Sequence, residues 1–162
     1  MCHTDSVGLQ RDIATSHLET LIENITGLEK AKAGPDGSYF IETNHAPVEV
    51  TVLGEDAPFF RLFSVVAANI APSPELFETL NEINQRLTFL RTMHIDDQVL
   101  IAGELMALTA DPPDFRSLFD SIADASAFFG PRIIEQFGGT SPFEQSKDPG
   151  HSTPQPQVNG YL

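Results

Sequence analysis

Residues 47–67 read PVEVTVLGEDAPFFRLFSVVA, and the fold class turns on this stretch. In its first part Val48, Val50 and Val52 alternate with Glu49 and Thr51, the two-residue period of a strand with one buried and one solvated face. Gly54-Glu55-Asp56-Ala57-Pro58 has turn composition and is short enough that the chain returns antiparallel. The returning strand, Phe59 to Ala67, sets Phe60 and Leu62 on one side and Phe59, Arg61, Phe63 and Val65 on the other. Phe59, Phe60, Leu62, Phe63, Val65 and Val66 are too many apolar residues for one face of one strand. Helices normally cover one side of such a sheet, so the other side needs its own cover. That cover is water with polar residues, a partner subunit, a bound peptide, or burial within the monomer.

Upstream, Gly34-Pro35-Asp36-Gly37 is a turn and Ser38 to Thr43 a strand centred on Tyr39, Phe40 and Ile41. Residues 9–28 carry Leu18, Leu21, Ile22, Ile25 and Leu28 at helical spacing. Downstream, Ser73-Pro74-Glu75 combines a capping hydroxyl, a proline at the first helical position and an acid in the first turn. The helix it starts has the stripe Leu76, Phe77, Leu80, Ile83 and Leu87. Leu87 to His94 and Gln98 to Leu105 read as two strands joined at Asp96-Asp97. Asp111-Pro112-Pro113 opens a last helix with Phe115, Leu118, Phe119, Ile122 and Phe129 on its apolar side. Gly130-Pro131 is expected to break or kink it, because proline removes a donor and clashes with the preceding turn. Ile133, Ile134 and Phe137 then restart it up to Gly138. The order is α-β-β-β-α-β-β-α, an α+β fold with a five-stranded antiparallel sheet and helices packed on it.

The chain has 162 residues, one ordinary domain. Residues 1–8 are expected to be a loose N-terminus, 9–138 the folded domain, and 139–162 a disordered tail. The tail holds four prolines and only Phe143, Val158, Tyr161 and Leu162 from the apolar set, too little to offset its ordering cost. The formal net charge is −14, which repels nucleic-acid phosphates and anionic lipid. Residues 10–138 hold 20 of the 23 acids and 8 of the 9 bases, so −12 belongs to the domain. No apolar run is long enough to span a membrane, and the N-terminus lacks the features of a secretion signal. The single Cys2 rules out an intrachain disulfide and fits a reducing cytoplasm.

The sequence contains no G-x-G-x-x-G, no phosphate loop, no H-E-x-x-H and no C-x-x-C. His3, His17, His45, His94 and His151 lack metal-ligand spacing, so no metal, cofactor or catalytic residue is assigned. One enzymatic alternative gathers His94, Asp96 and Asp97, with Glu104, into an acid–base group; a solvated hairpin end accounts for the aspartates equally. Glu104 itself reads as a strand residue facing solvent. The acids Glu75, Glu78, Glu82, Asp120 and Asp124 read as solvated helix faces.

Phe60 to Val66, the helix Ser73-Pro74-Glu75-Leu76-Phe77-Glu78-Thr79-Leu80-Asn81-Glu82-Ile83-Asn84, and Leu87-Thr88-Phe89 together resemble the YbjN and type III secretion chaperone-like superfamily. Asn81 and Asn84 fall on the two asparagine places of that pattern, and Phe137-Gly138-Gly139 is similar to the end of its actinobacterial peptide-binding chaperone branch. The resemblance spans about residues 10 to 139. It implies a small, acidic, homodimeric, non-enzymatic protein that holds a partly unfolded client. On this basis the expected function is cytoplasmic, ATP-independent binding of an extended client segment by strand addition or apolar pockets. The candidate contacts are Phe59, Phe63 and Val65 on the third strand and Leu87 and Phe89 on the fourth. The acidic surface is expected to favour basic segments. An adaptor for a folded partner is the alternative reading.

Overall fold

A computed structural model describes residues 5–43 and 46–142. The expectations for residues 1–4 and for 143–162, including most of the tail, lie outside the described residues, as does His45. Helix α1 (Asp5–Thr26) buries Ala14, Leu18, Leu21 and Ile22 on one face. It ends at Gly27, whose left-handed φ of 70° lets its N–H bond Glu23 O at 2.9 Å. Strands β1 (Tyr39–Ile41), β2 (Val48–Leu53) and β3 (Phe59–Ala68) follow as an antiparallel meander. Helix α2 (Pro74–Asn84) is capped by the Ser73 hydroxyl, which accepts from Leu76 N at 3.1 Å. Strands β4 (Arg91–Ile95) and β5 (Gln98–Met106) come next, then helix α3 (Pro112–Phe137), capped by Asp111.

The strand order is β1-β2-β3-β5-β4, antiparallel throughout. The connection through α2 carries the chain to the far edge, and β5 then inserts between β3 and β4. Asp96 and Asp97 turn the β4–β5 hairpin with φ of 49° and 57°, the left-handed pair that tight hairpins require and aspartate tolerates. At the end of β3 a bulge between Val65 and Ala67 lets both Val66 and Ala67 join the helix-side core. Thr140 exchanges two backbone hydrogen bonds with Ala68, at 2.9 and 2.8 Å, so the chain beyond α3 returns to the sheet.

Two apolar clusters lie between the sheet and the helices. The first joins α1 and the front of α3 to Val48, Val50, Val52, Phe60 and Leu62. The second joins α2 and the end of α3 to Val66, Ala67, Val99 and Ile101. Helix α3 spans both, which explains one departure from the sequence pattern: it runs unbroken through Gly130-Pro131. Proline inside a helix costs about 3 kcal/mol. Beyond the proline, Ile133 is buried and Ile134 and Phe137 pack partly buried against the second cluster. At roughly 1.5–3 kcal/mol for a fully buried large side chain, and a fraction of that for a partly buried one, their packing offsets the cost.

A second departure concerns the fourth strand, which starts at Arg91 rather than Leu87. Leu87 N still bonds to Ile83 O, a residue of α2, and Phe89 has a left-handed φ of 61°. Neither residue belongs to the strand. In α2 the buried stripe is Leu76, Leu80 and Ile83; Phe77 is exposed and packs edge-on against His94.

Candidate functional site

Because strand side chains alternate between faces, the register assigns every strand residue to one side of the sheet. Phe60, Leu62 and Ile101 face the helices. The opposite face carries a row that crosses all five strands: Phe40, Glu49, Phe63, Ala102 and Arg91. The neighbouring rows are Thr51–Arg61–Glu104 and Val65–Leu100–Met93. On this face Phe63, Leu100 and Ala102 form a third apolar group with Val65, Met93 and Ile95, and among the described residues no helix residue belongs to it. Leu100, at its centre on β5, is 0% exposed. Around that centre Phe59, Val65, Met93 and Ile95 are half-buried, and Phe40 and Met106 are exposed.

Beside the apolar group, Glu104 is held between two arginines. Its Oε1 accepts from Arg61 Nε at 2.8 Å and from Arg91 Nη2 at 2.7 Å, and Arg61 Nη2 lies 2.7 Å away. Its Oε2 accepts from Arg91 Nη1 at 3.3 Å. Burial pushes the Glu104 carboxyl up, but the hydrogen bonds and charges of Arg91 and Arg61 outweigh it and hold the group below its ordinary range. The Arg61 guanidinium also sits 5.8 Å from the Phe59 ring centroid.

The sequence-derived contacts therefore separate. Phe59, Phe63 and Val65 share the helix-free face, with Phe63 largely buried. Leu87 packs on the helix side, against the second cluster. Phe89 stands out from the loop before β4, 90% exposed. The residues that sequence reasoning missed are Leu100, Ala102, Met93 and Ile95, and the pairing of Glu104 with Arg61 and Arg91. Alternation in Gln98 to Leu105 carries part of this signal, since Leu100 and Ala102 share one parity.

The acid–base alternative does not assemble. Asp96 and Asp97 are exposed on the hairpin turn. His94 faces the helix side and donates through Nε2 to Ile70 O at 2.7 Å, whereas Glu104 lies on the opposite face. Among the described residues, no group of three or more His, Cys, Asp or Glu is placed to hold a metal ion, and no helix is long and apolar enough to cross a membrane.

Several solved structures share this fold. A chain of the ExsC–ExsE complex superposes with a TM-score of 0.60 at 15% identity, covering 76% of this chain and 95% of that one. The Yersinia pestis type III secretion chaperone SycH, in complex with a stable fragment of YscM2, matches with a TM-score of 0.53 at 18% identity, covering 70% and 96%. The heterodimeric ExoU–SpcU complex from the type III secretion system of Pseudomonas aeruginosa gives 0.52 at 11% identity, covering 74% and 97%. No curated protein shows significant sequence similarity to the chain. Residues 12–145 match the family described as T3SS (YopN, CesT) and YbjN peptide-binding chaperone 1, and this chain belongs to that family.

Proposed function

We propose that this chaperone-family chain is a non-enzymatic holder of extended protein segments, and that its client lies on the helix-free face of the sheet. One observation carries the reading: Phe63, Leu100, Ala102, Val65, Met93 and Ile95 form an apolar group to which, among the described residues, no helix contributes. Phe59, Phe63 and Val65 are its proposed contacts on β3. Phe89 is proposed as a separate anchor near the β4 edge, and Leu87 supports the helix-side core behind it. Each large apolar anchor contributes roughly 1.5–3 kcal/mol before the cost of ordering the client. Strand addition, where it contributes, is disfavoured on β4, where Asn84 of α2 already bonds Thr92, and so falls to β1, the other outer strand.

A cytoplasmic location and a homodimer complete the proposal. The exposed Phe77 on α2 favours an apolar contact on that flank, which leaves the sheet face and Phe89 free for a client; light scattering after size exclusion measures the oligomer.

Val65→Asp and Met93→Asp test the binding face. Both side chains are half-buried, so native circular dichroism is expected. Mass spectrometry of material co-purified from the native host should show client peptides with the wild-type chain and their loss with both variants. Amide exchange in the purified complex should be slowed on β3 and β5. Undiminished client recovery with both variants would sink the assignment.

A further inference from the structure

The helix-free face differs electrically from the rest of the molecule. The chain carries −14, yet the strand positions of this face hold two arginines, Arg61 and Arg91, against two carboxylates, Glu49 and Glu104. The acids that dominate the total lie on helices and turns. Both arginines converge on Glu104, whose Oε1 takes the three short contacts at 2.7–2.8 Å while Oε2 has only Arg91 Nη1 at 3.3 Å. One carboxylate thus serves two guanidiniums, and the triad keeps one surplus positive charge. The Arg61 side chain is 11% exposed and enclosed beside Phe59, whereas that of Arg91 is 44% exposed. A guanidinium has five N–H donors, and Arg91 spends two of them on Glu104. Arg91 stands in the same cross-strand row as Phe63 and Ala102, beside Met93.

We propose that Arg91 selects an acidic residue in the client. The face takes an extended segment in which a large apolar side chain lies over Val65, Phe63 and Met93, and an Asp or Glu two residues along pairs with Arg91. Two residues of extended chain span about 6.6–6.8 Å, which is also the spacing of adjacent same-face rows along these strands. The inference rests on the peptide-binding reading above and gives its substrate class. It reverses the expectation from whole-chain charge, which points to basic segments, because pairing is decided within a few ångströms and distant surface charge is screened beyond about 8–10 Å.

Selection of a phage-displayed random-peptide library on the full chain tests this. Enrichment of Asp or Glu two positions from Leu, Ile, Met or Phe is expected. Arg91→Gln should lose the acidic enrichment and keep the apolar pattern. An enriched peptide and its Asp-to-Asn counterpart should differ about fivefold in affinity for the wild type, as for a partly exposed ion pair, and not at all for Arg91→Gln. Glu104→Gln, which removes the competing carboxylate, should widen the difference. Enriched Lys or Arg, or an apolar pattern without charge preference, overturns the proposal and leaves the binding reading intact. No enriched pattern overturns the binding reading as well. A dimer that Arg91→Gln and Val65→Asp each dissociate assigns the face to a second copy and overturns the proposal.

Discussion

The carboxamide of Asn84 forms with Thr92 the pair of hydrogen bonds that a neighbouring strand would otherwise form. Thr92 N–H donates to Asn84 Oδ1 at 2.6 Å, and Asn84 Nδ2 donates to Thr92 O at 3.3 Å. The Thr92 hydroxyl lies between Asn84 Oδ1, at 3.0 Å, and Leu80 O, at 3.1 Å, so its single proton serves the same junction. Strand β4 is the outer strand of the sheet, and an outer strand with unpaired backbone groups invites pairing with another chain. One side chain of α2 therefore both fastens the helix to the sheet and closes this edge at its second residue.

Asn84→Ala should lower stability by about 1–3 kcal/mol, the cost of leaving backbone groups without partners in a partly buried site. Urea unfolding measures this. Asn84→Asp should not restore the loss, because it keeps the acceptor for Thr92 N–H but sets a carboxylate oxygen against Thr92 O. Opening the edge should also raise self-association at high concentration, seen by light scattering. A variant of unchanged stability would show that the hydrophobic seam of Leu76, Leu80 and Ile83 alone holds α2.

Phe89 combines a left-handed backbone, φ 61°, with 90% exposure. For a bulky residue that backbone costs roughly 1–2 kcal/mol, and so exposed a ring recovers little by packing. Its carbonyl passes close to β5, where a Cβ on Gly103 would come within 3.2 Å of Phe89 O and 2.9 Å of Leu90 Cδ2. Phe89→Asn or Phe89→Gly should therefore raise stability by about 0.5–1 kcal/mol, measured by thermal or urea unfolding. If client affinity falls in the same variants, the strain is retained for binding; a drop in stability contradicts the assignment of strain.

The parity of β2 and β3 is legible in the sequence because burial on one face imposes the alternation of Val48, Val50 and Val52 and separates Phe60 from Phe59. The limits of β4 are not, because Leu87-Thr88-Phe89-Leu90 alternates like a strand while its first residue completes a helix turn. Nor is the Arg61–Glu104–Arg91 triad. It depends on β5 lying between β3 and β4, and a local period carries no information about strand order. Asn84 matches the family pattern in sequence, but its partner Thr92 follows only from the docking of α2 against β4.

The Glu104 triad makes stability depend on pH in a defined direction. Its carboxyl titrates below the ordinary value of 4.5 in the folded protein, so between the two values the unfolded chain binds more protons and stability rises with pH. The contribution is complete above about pH 4.5 and is lost as pH falls through the folded value. Glu104→Gln should flatten this part of the acid limb in a series of urea midpoints below pH 5, and Glu82→Gln on the exposed face of α2 should leave it unchanged. An identical slope in wild type and Glu104→Gln would remove the triad as its source.

The continuity of α3 gives a test in which neighbouring residues should respond oppositely. Pro131 cannot donate to Ala127 O, yet the helix continues because Ile133 beyond it is buried, with Ile134 and Phe137 in the same cluster. Pro131 is itself exposed, so replacement disturbs no packing. Pro131→Ala should restore the missing bond and stabilise the protein by about 1–2 kcal/mol, the interior penalty less the unfolded-state entropy that proline had removed. Gly130→Ala would ordinarily gain about 0.5–1 kcal/mol in a helix, but a Cβ there comes 3.2 Å from Val66 O and 3.5 Å from Val66 Cβ. That backbone lies at the β3 bulge and has little freedom to retreat, so the gain should vanish or turn to a loss. Urea midpoints at unchanged slope decide it: a rise for Pro131→Ala with none for Gly130→Ala is expected. Equal rises would mean that α3 does not press on Val66 as closely as the Gly130 contact implies.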